Sequence, residues 1–355
     1  MSDTASTSLE WPLRRLLTDV IGSGPKSAAD MSYGQARSAM EQVLDEAADP
    51  TTLGAFLLAA RWKTNTSEEL AGFLDAIRVR AEVVEPSVDP VDCGANYDGK
   101  RETALLGVAA GAVSAAAGVP VVVHGADRVP AKAADSYTHV LDALGVETDL
   151  APGESARMVD EAGVGFYHQS AFAPDLHGVL GRREAMGVRT PINTVETLVN
   201  PAGARSHLGS FYHLSYGKRI ADTRAASRSV EVDRVLMVQG LEGFDDVRPG
   251  HTTIAEWRNG AFDDWAVETA ALGMAVERED LEVGDVAADS AAITEAVLAG
   301  ERDDGFADAV ALNAALRIYA GGGADAIEDG LELARDALAG GSARDVLADL
   351  RSFEP

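Results

Sequence analysis

The feature that most constrains this chain is a change of rhythm at "EPSVDPVDCG", residues 85–94. Before it, "WPLRRLLTDVIG", "SYGQARSAMEQVLDEA", "TLGAFLLAARWKT" and "SEELAGFLDAIRVRAEVV" each space apolar residues by threes and fours, the period of a helix with one buried face. Ser32, Thr51 after Pro50, and the run Thr66 to Glu69 supply the helix starts. After it, short β-branched runs alternate with helical ones: "VPVVVHG", "DSYTHVLDALGV", "VETDL", "ESARMVDEAGV", "GFYH", "SHLGSFYHLSY" and "RVLMVQGLEG". Strands alternating with helices predict a mainly parallel sheet covered on both faces. The order of the two rhythms therefore predicts a small helical domain, an extended linker with two prolines, and a larger α/β domain with a mainly parallel central sheet flanked by helices.

Three segments refine that plan. "HTTIAEWRNGAFDDWAVET" reads as two strands of a hairpin around "RNG". The chain ends in helices, "SAAITEAVLAG", "DAVALNAALRIYAGG" and "AIEDGLELARDALAGG", each stopped by glycine. "APDLHGVLGRREAMGVRTPINTVETLVNPAGA" breaks the α/β rhythm with helical and extended turns. It reads as an insertion that returns to the helical domain and leaves a cleft between the two parts. The expected division is a helical domain over 1–85 with part of 172–203, and an α/β domain over 88–171 and 204–355.

Charge and cysteine count narrow the function classes. Asp and Glu outnumber Lys and Arg by 57 to 30, for a net charge of −27, and the only lysines are Lys26, Lys63, Lys100, Lys132 and Lys218. Such a surface repels nucleic acid, and its self-repulsion is relieved by salt, which suits a protein from a very salty cytosol; an ordinary acidic enzyme is the other reading. The single cysteine, Cys93, excludes an intramolecular disulfide and a cysteine-cluster metal site. Beside Asp92 it has no cation to lower its pKa, so it reads as a small residue at the domain hinge. "TALLGVAAGAVSAAAG" is alanine-rich and reads as a buried helix; no apolar segment reaches spanning length. The start "MSDTASTSLE" lacks the basic and apolar regions of a signal peptide, which predicts a cytoplasmic protein.

The loop-to-helix junction "VDCGANYDGKRETALLGVAAGAV" is the kind of place where anions bind, because free N–H groups and the positive end of a helix dipole meet there. The landmarks around it, in order, resemble the anthranilate phosphoribosyltransferase family, whose architecture is shared with pyrimidine nucleoside phosphorylases. They are "GAFLLAARWKTNTSEELAGF", "AAAGVPVVVHG", "VLDALGV", "GRREAMGVRTPINTVETLVNPAGA", "RVLMVQGLEGFDD" and the terminal "AVLAGERDDGFADAVALNAALRIYAGG". The resemblance covers nearly the whole chain. It implies displacement of pyrophosphate from a phosphorylated sugar donor, phosphoribosyl pyrophosphate, by an aromatic or nitrogen acceptor, with Mg2+ on the phosphates. It also implies a homodimer through the helical domain, using the apolar faces of "PLRRLLTDVI" and "TLGAFLLAARW".

At the site itself the chain departs from the family. The family's glycine-rich GTGGDG loop falls on Ala95, Asn96, Tyr97, Asp98, Gly99 and Lys100, where Tyr97 and Asp98 fill the space that lets backbone N–H groups approach phosphate. The hydroxyls of the next motif fall on Leu106 to Val108, and the family's Lys-His-Gly-Asn becomes Val123, His124, Gly125 and Ala126. The resemblance implies donor binding by Asn96, Tyr97, Asp98, Gly99, Lys100, His124 and Gly125, although His124 reads more simply as a strand-end cap. It implies acceptor binding by Arg183, with Arg182 one residue away, and by Asn193. The family's acidic metal pair falls on Asp245 and Asp246 in "EGFDD". Two adjacent carboxylates after a strand suit hydrated magnesium; an acidic surface turn is the other reading. His168 and His177 have no recognisable partner.

Three functions stay open. The first is a phosphoribosyl- or pentosyl-transferring enzyme of altered acceptor specificity, with Asp245 and Asp246 on magnesium and Lys100 on phosphate. The second is a non-catalytic binding protein on the same scaffold, with Lys100, Arg101, Arg182, Arg183 and Arg189 as a local basic cleft. The lost loop, "YDGKR" and "RTPINTVETLVNP" resemble a divergent branch with nucleic-acid-binding members, a partner that the acidic charge disfavours. The third is a tryptophan-biosynthesis enzyme with an unusual loop.

Overall fold

The structure is a computed structural model that describes residues 11–22, 24, 26–94, 98–127, 129 and 133–355. The helical part opens with α1 (Leu13–Arg15), which widens into a π-helical stretch over Leu16–Ile21. Then come α2 (Tyr33–Leu44), α3 (Pro50–Lys63) and α4 (Ser67–Arg78). Ser32 and Thr66 cap α2 and α4 in reciprocal boxes with Gln35 and Glu69, each box contributing about 1 kcal/mol. The start expected at Thr51 lies two residues earlier. Asp49 is the cap, its carboxylate accepting from the Thr51 and Thr52 amides, and Pro50 takes the first helical position, where no N–H is needed. The helix expected to run to Val84 ends at Arg78; Glu82 and Val84 donate their amides to Phe172 and Pro201 instead.

Among the described residues seven strands follow: β1 (Val91–Gly94), β2 (Val121–Gly125), β3 (Val164–His168), β4 (Ser206–Ser210), β5 (Arg234–Val238), β6 (His251–Arg258) and β7 (Ala261–Glu268). They form one sheet in the order β3-β2-β1-β4-β5-β6-β7. The first five are parallel, and β6 and β7 are the antiparallel hairpin expected from "RNG". Two expectations need correction. "VDCG" is the middle one of the five parallel strands rather than linker or hinge: Pro90 sits just outside it, where its missing N–H removes no ladder bond. "VETDL" is not a strand. Val146, Thr148 and Leu150 are buried alternately, but the Glu147 carboxylate takes the Thr148 and Asp149 amides, so the backbone joins no ladder.

Alternation along the strands divides the core in two. Val121, Val123, Leu236 and Val238 pack with α5 (Gly107–Ala116) and the later helices, whereas Val122, Val235 and Met237 face the helical part. Between strands the chain forms α6 (Tyr137–Ala143), α7 (Pro152–Ala162), then the short α8 (Gln169–Phe172), α9 (Pro174–Leu180), α10 (Arg182–Met186) and α11 (Ile192–Val195). Of these, α9 packs on α2 and α11 on α4, so segment 172–203 shares the core of the helical part. The helix α12 (Leu214–Ala226) follows β4, and α13 (Val286–Leu298), α14 (Gly305–Ala320), α15 (Ile327–Gly340) and α16 (Ser342–Ser352) close the chain. No described helix is long and apolar enough to cross a membrane.

Successive strands leave β1 in both directions, toward β2 and β3 on one side and toward β4 and β5 on the other. That reversal makes a crevice at the carboxyl ends of β1 and β4, the usual ligand position of an open α/β sheet. The segment after β1 and the start of α12 border it.

Candidate functional site

The junction after β1 is closed from within. Lys100 is 1% exposed; its Nζ donates to the Ala104 carbonyl at 2.9 Å and to the Asp246 carboxylate. Its backbone pairs both ways with Asp135, which zips the loops after β1 and β2 together. The Glu242 carboxylate accepts from the Arg101 amide and from the Thr103 amide and hydroxyl at 2.7–3.0 Å. Asp245 accepts from Tyr137 Oη at 2.9 Å and from Arg317 Nη2 at 3.2 Å, with all three side chains buried. Tyr137 stands directly over the first turn of α5, where a Cβ on Gly107 would lie 1.9 Å from its oxygen. The helix end that attracts anions in an open loop is therefore under a buried tyrosine.

This geometry corrects the reading of "EGFDD" as a metal pair. Asp245 and Asp246 are 0% and 1% exposed, and each meets a buried cation, Arg317 and Lys100. Among the described residues no group of three or more His, Cys, Asp or Glu is placed to hold a metal ion. The donor set does not fit magnesium. It fits a clamp that ties the β1–α5 segment to the sheet. Lys100 for the same reason is not open to phosphate.

The other expected site residues part company. Asn96 and Tyr97 lie outside the described residues. Gly99 adopts a positive φ of 71°, and a Cβ there would stand 2.6 Å from Ala134. His124 does not cap a strand end. It faces inward, its Nε2 3.2 Å from Asp92 Oδ1 and its ring edge-on to Phe172, while Gly125 is buried as the last residue of β2. Asn193 holds its own turn, accepting from the Thr190 amide and donating to Glu196. Arg182 pairs with Glu46. His168 and His177 stand 6.3 Å apart, with His168 against the Ser170 hydroxyl; burial lowers the His168 pKa.

Asp98 and Arg183 do come together. Arg183 Nη1 is 2.7 Å from Asp98 Oδ1, and Arg189 Nη1 is 3.1 Å from Oδ2. The first contact is an ion pair outside hydrogen-bond geometry, on an arginine only 5% exposed. Asp98 and Arg189 open onto a cavity of about 630 Å³ that also meets Arg61, Tyr212, Tyr216 and Arg219. A smaller cavity of about 170 Å³ adjoins it through Arg61, Thr64, Thr194, Tyr216 and Arg219. One wall is α3 of the helical part, the other the β4–α12 connection, so the cleft sits at the crevice where the strand order reverses. Its walls are cationic in a chain of net charge −27. By contrast a cavity of about 450 Å³ beside the hairpin carries Glu256, Glu268, Asp325 and Glu328, a poor host for phosphate.

Beneath the sheet lies a polar cluster that the sequence reading missed. Asp92 of β1 is 2.7 Å from His207 Nδ1 on β4 and 3.6 Å from Arg224 Nη2 on α12, besides His124, all four buried. Burial and the nearby Arg224 push His207 down to about 4. Burial also lowers Arg224, to about 10, although Asp92 opposes the shift. Contacts with His124 and His207 outweigh burial and hold the Asp92 carboxyl well below the usual range. Because His207 is neutral at pH 7, it acts on Asp92 there as a hydrogen-bond partner, and Arg224 supplies the standing charge. The available signal was an acid inside a buried strand, "VDCG", which needs a partner.

A helical bundle is set against a mainly parallel sheet, with an arginine-lined cleft where the strand order reverses. Residues 87–344 match the family described as "Glycosyl transferase family, a/b domain", and residues 21–81 match its "helical bundle domain". The chain belongs to this glycosyl transferase family. It is 33% identical over 331 residues to the anthranilate phosphoribosyltransferase of Natronomonas pharaonis, covering 92% of this chain and 96% of that one. Identity to the Rubrobacter xylanophilus anthranilate phosphoribosyltransferase is 32% over 325 residues, 91% and 92% of the two chains. Among solved structures, the anthranilate phosphoribosyltransferase of Thermus thermophilus superposes with a TM-score of 0.80 at 27% identity, over 91% of this chain and 96% of that one. The Saccharomyces cerevisiae enzyme, in complex with PRPP and Mg, shares the fold at TM-score 0.76 and 18% identity, over 91% and 93%.

Proposed function

We propose that this protein transfers a phosphoribosyl group from phosphoribosyl pyrophosphate to a nitrogen acceptor in the cleft between its two domains. The divisions implied are 1–85 with part of 172–203, and 88–171 with 204–355. The carrying observation is the cationic cleft at the strand-order reversal of a strongly acidic member of this family. In the reaction the acceptor nitrogen forms a bond to the anomeric carbon as the bond to pyrophosphate breaks. Catalysis of such a step is mostly positioning and charge neutralisation. Here Arg61 and Arg219 are the side chains that neutralise anionic groups in the cleft, since Lys100 is held by Asp246 and Arg189 by Asp98. A yeast relative was solved with Mg, but no step is routed through a metal here, because Asp245 and Asp246 are closed in ion pairs.

The names of the relatives favour anthranilate as acceptor and tryptophan biosynthesis as context; the ion pair at Asp98 favours a different acceptor. Incubation with phosphoribosyl pyrophosphate and a panel of amine and nitrogen-heterocycle acceptors, in molar KCl, should release pyrophosphate only when an acceptor is present. Binding without release from any acceptor would replace this reading with that of a ligand-binding scaffold. That second reading draws on the internal pairing of Lys100, Asp245 and Asp246. The molar salt in the assay follows from a further part of the proposal, that the acidic surface is an adaptation to a salty cytosol.

A homodimer through α3 belongs to the same proposal. Trp62 is 75% exposed and Leu58 45%, one turn apart on the same face of that helix. Light scattering should find a species of twice 37.1 kDa. Trp62→Glu, which puts a carboxylate in the apolar patch, should return it to the monomer mass.

A further inference from the structure

The charges of the cleft are unevenly satisfied. Arg183 and Arg189 already share Asp98. Among the described residues, neither Arg61, at the end of α3, nor Arg219, on the second turn of α12, has a carboxylate within ion-pair distance, and both line the large and the small cavity. In a chain with this excess of acid, two such arginines converging on one space from different domains call for an outside anion. Two further features point the same way. The first turn of α12, with His213, Ser215 and Tyr216 on the cavity wall, has no side-chain cap, so its positive end faces the space. Ser210 Oγ, at the end of β4 on the same wall, is buried and has no hydrogen-bond partner among the described residues.

We propose that the cleft takes a phosphate monoester, held by Arg61, Arg219 and the start of α12, and that Asp98 keeps carboxylates out by already filling the Arg183–Arg189 position. The proposal rests on reading the cleft as the acceptor side of a transferase, and it names the class of acceptor. A phosphate oxygen set suits two guanidinium groups approaching from opposite walls. A carboxylate aimed at Arg183 meets Asp98 first, a like charge that has to be displaced from two arginines.

Isothermal titration at fixed KCl, with inorganic phosphate and with benzoate as probes, tests both halves. The native protein should bind phosphate, and Arg61→Gln and Arg219→Gln should each weaken it by about tenfold, the loss of one charge-assisted contact. Arg219→Lys, which keeps the charge, should recover most of the loss. Benzoate should bind Asp98→Asn and not the native protein; thermal melts confirm that each variant is folded. Phosphate affinity unchanged in both glutamine variants overturns the subsite, as does a native protein that does not bind phosphate. Equal benzoate affinity with and without Asp98 overturns the exclusion. Pyrophosphate release is a separate readout. If it persists while the arginine variants bind phosphate normally, only the subsite fails; if it is absent while those variants lose phosphate, only the transferase reading fails.

Discussion

Replacing Lys100 with Met should lower folding stability by about 3–5 kcal/mol, the usual result of removing one member of a buried ion pair. The side chains of Lys100 and Asp246 are 1% and 2% exposed; Lys100 meets Asp246 Oδ2, and Oδ1 has no hydrogen-bond partner among the described residues. K100M leaves that carboxylate in a low-dielectric space with no direct ion-pair partner, the nearby Arg317 being paired with Asp245. The loss should therefore exceed that of a surface pair, about 0–1 kcal/mol, by a wide margin. Adding Asp246→Leu to K100M should recover most of the loss, because apolar side chains of similar size tolerate the site better than one stranded charge. Urea unfolding at constant salt measures all three proteins. If Lys100 instead served donor phosphate in an open loop, K100M would leave the midpoint alone and abolish binding. Magnesium should not raise the melting temperature of the native protein, since both carboxylates of the pair are already engaged.

That clamp also shows where the sequence stops being readable. The residues that carry periodicity were legible: the threes and fours of α2 to α4 and the alternation of the hairpin repeat a spacing that burial imposes on any chain. Asp98 and Arg183, both named from the resemblance, stand in contact. Partner choice was not legible. Nothing in the spacing of "EGFDD" tells whether Asp246 faces water, a metal or Lys100 146 residues away, because that is decided by how the β1–α5 segment folds back over the sheet. "VETDL" shows the converse. Its alternation of buried and exposed residues is real, yet a carboxylate one residue away took the amides that a ladder would use. β1 was hidden by its flanking prolines and by Asp92, a charge that looks foreign to a central strand until His207 and Arg224 are seen across it. Arg61 and Arg219 lie on helices 158 residues apart in the chain, and only the packing of α3 against the β4–α12 side brings them to one cavity.

Acidification should destabilise this protein between about pH 6.5 and pH 4, and His207→Gln should remove much of that slope. His207 is 1% exposed and its pKa falls from 6.5 to about 4, first through burial and then through Arg224, with Asp92 only partly opposing. The unfolded chain binds a proton near 6.5 while the folded one resists it until about 4. Stability from a neutral His207 is thus complete above 6.5 and is lost as pH falls through that window. The gap corresponds to about 3 kcal/mol, at about 1.4 kcal/mol per pH unit. Asp92, held low, acts in the same direction at more acid pH: its contribution is present above 3.8 and disappears as pH falls toward its folded value. The groups that face His207 are Asp92, Arg224 and, through Asp92, His124, so protonation would place a new cation beside Arg224 in a buried space. The carboxamide introduced by H207Q still offers Asp92 an N–H but cannot take that proton. Urea midpoints from pH 7.5 down to 4.5, at constant KCl, should decline in the native protein and stay flatter in H207Q, even where the variant starts lower. Carboxylates elsewhere titrate mostly below pH 5, and they are common to both proteins, so the difference between the two curves isolates the imidazole. Parallel curves would mean that His207 is protonated in the folded state without penalty, and that the buried cluster tolerates the second cation.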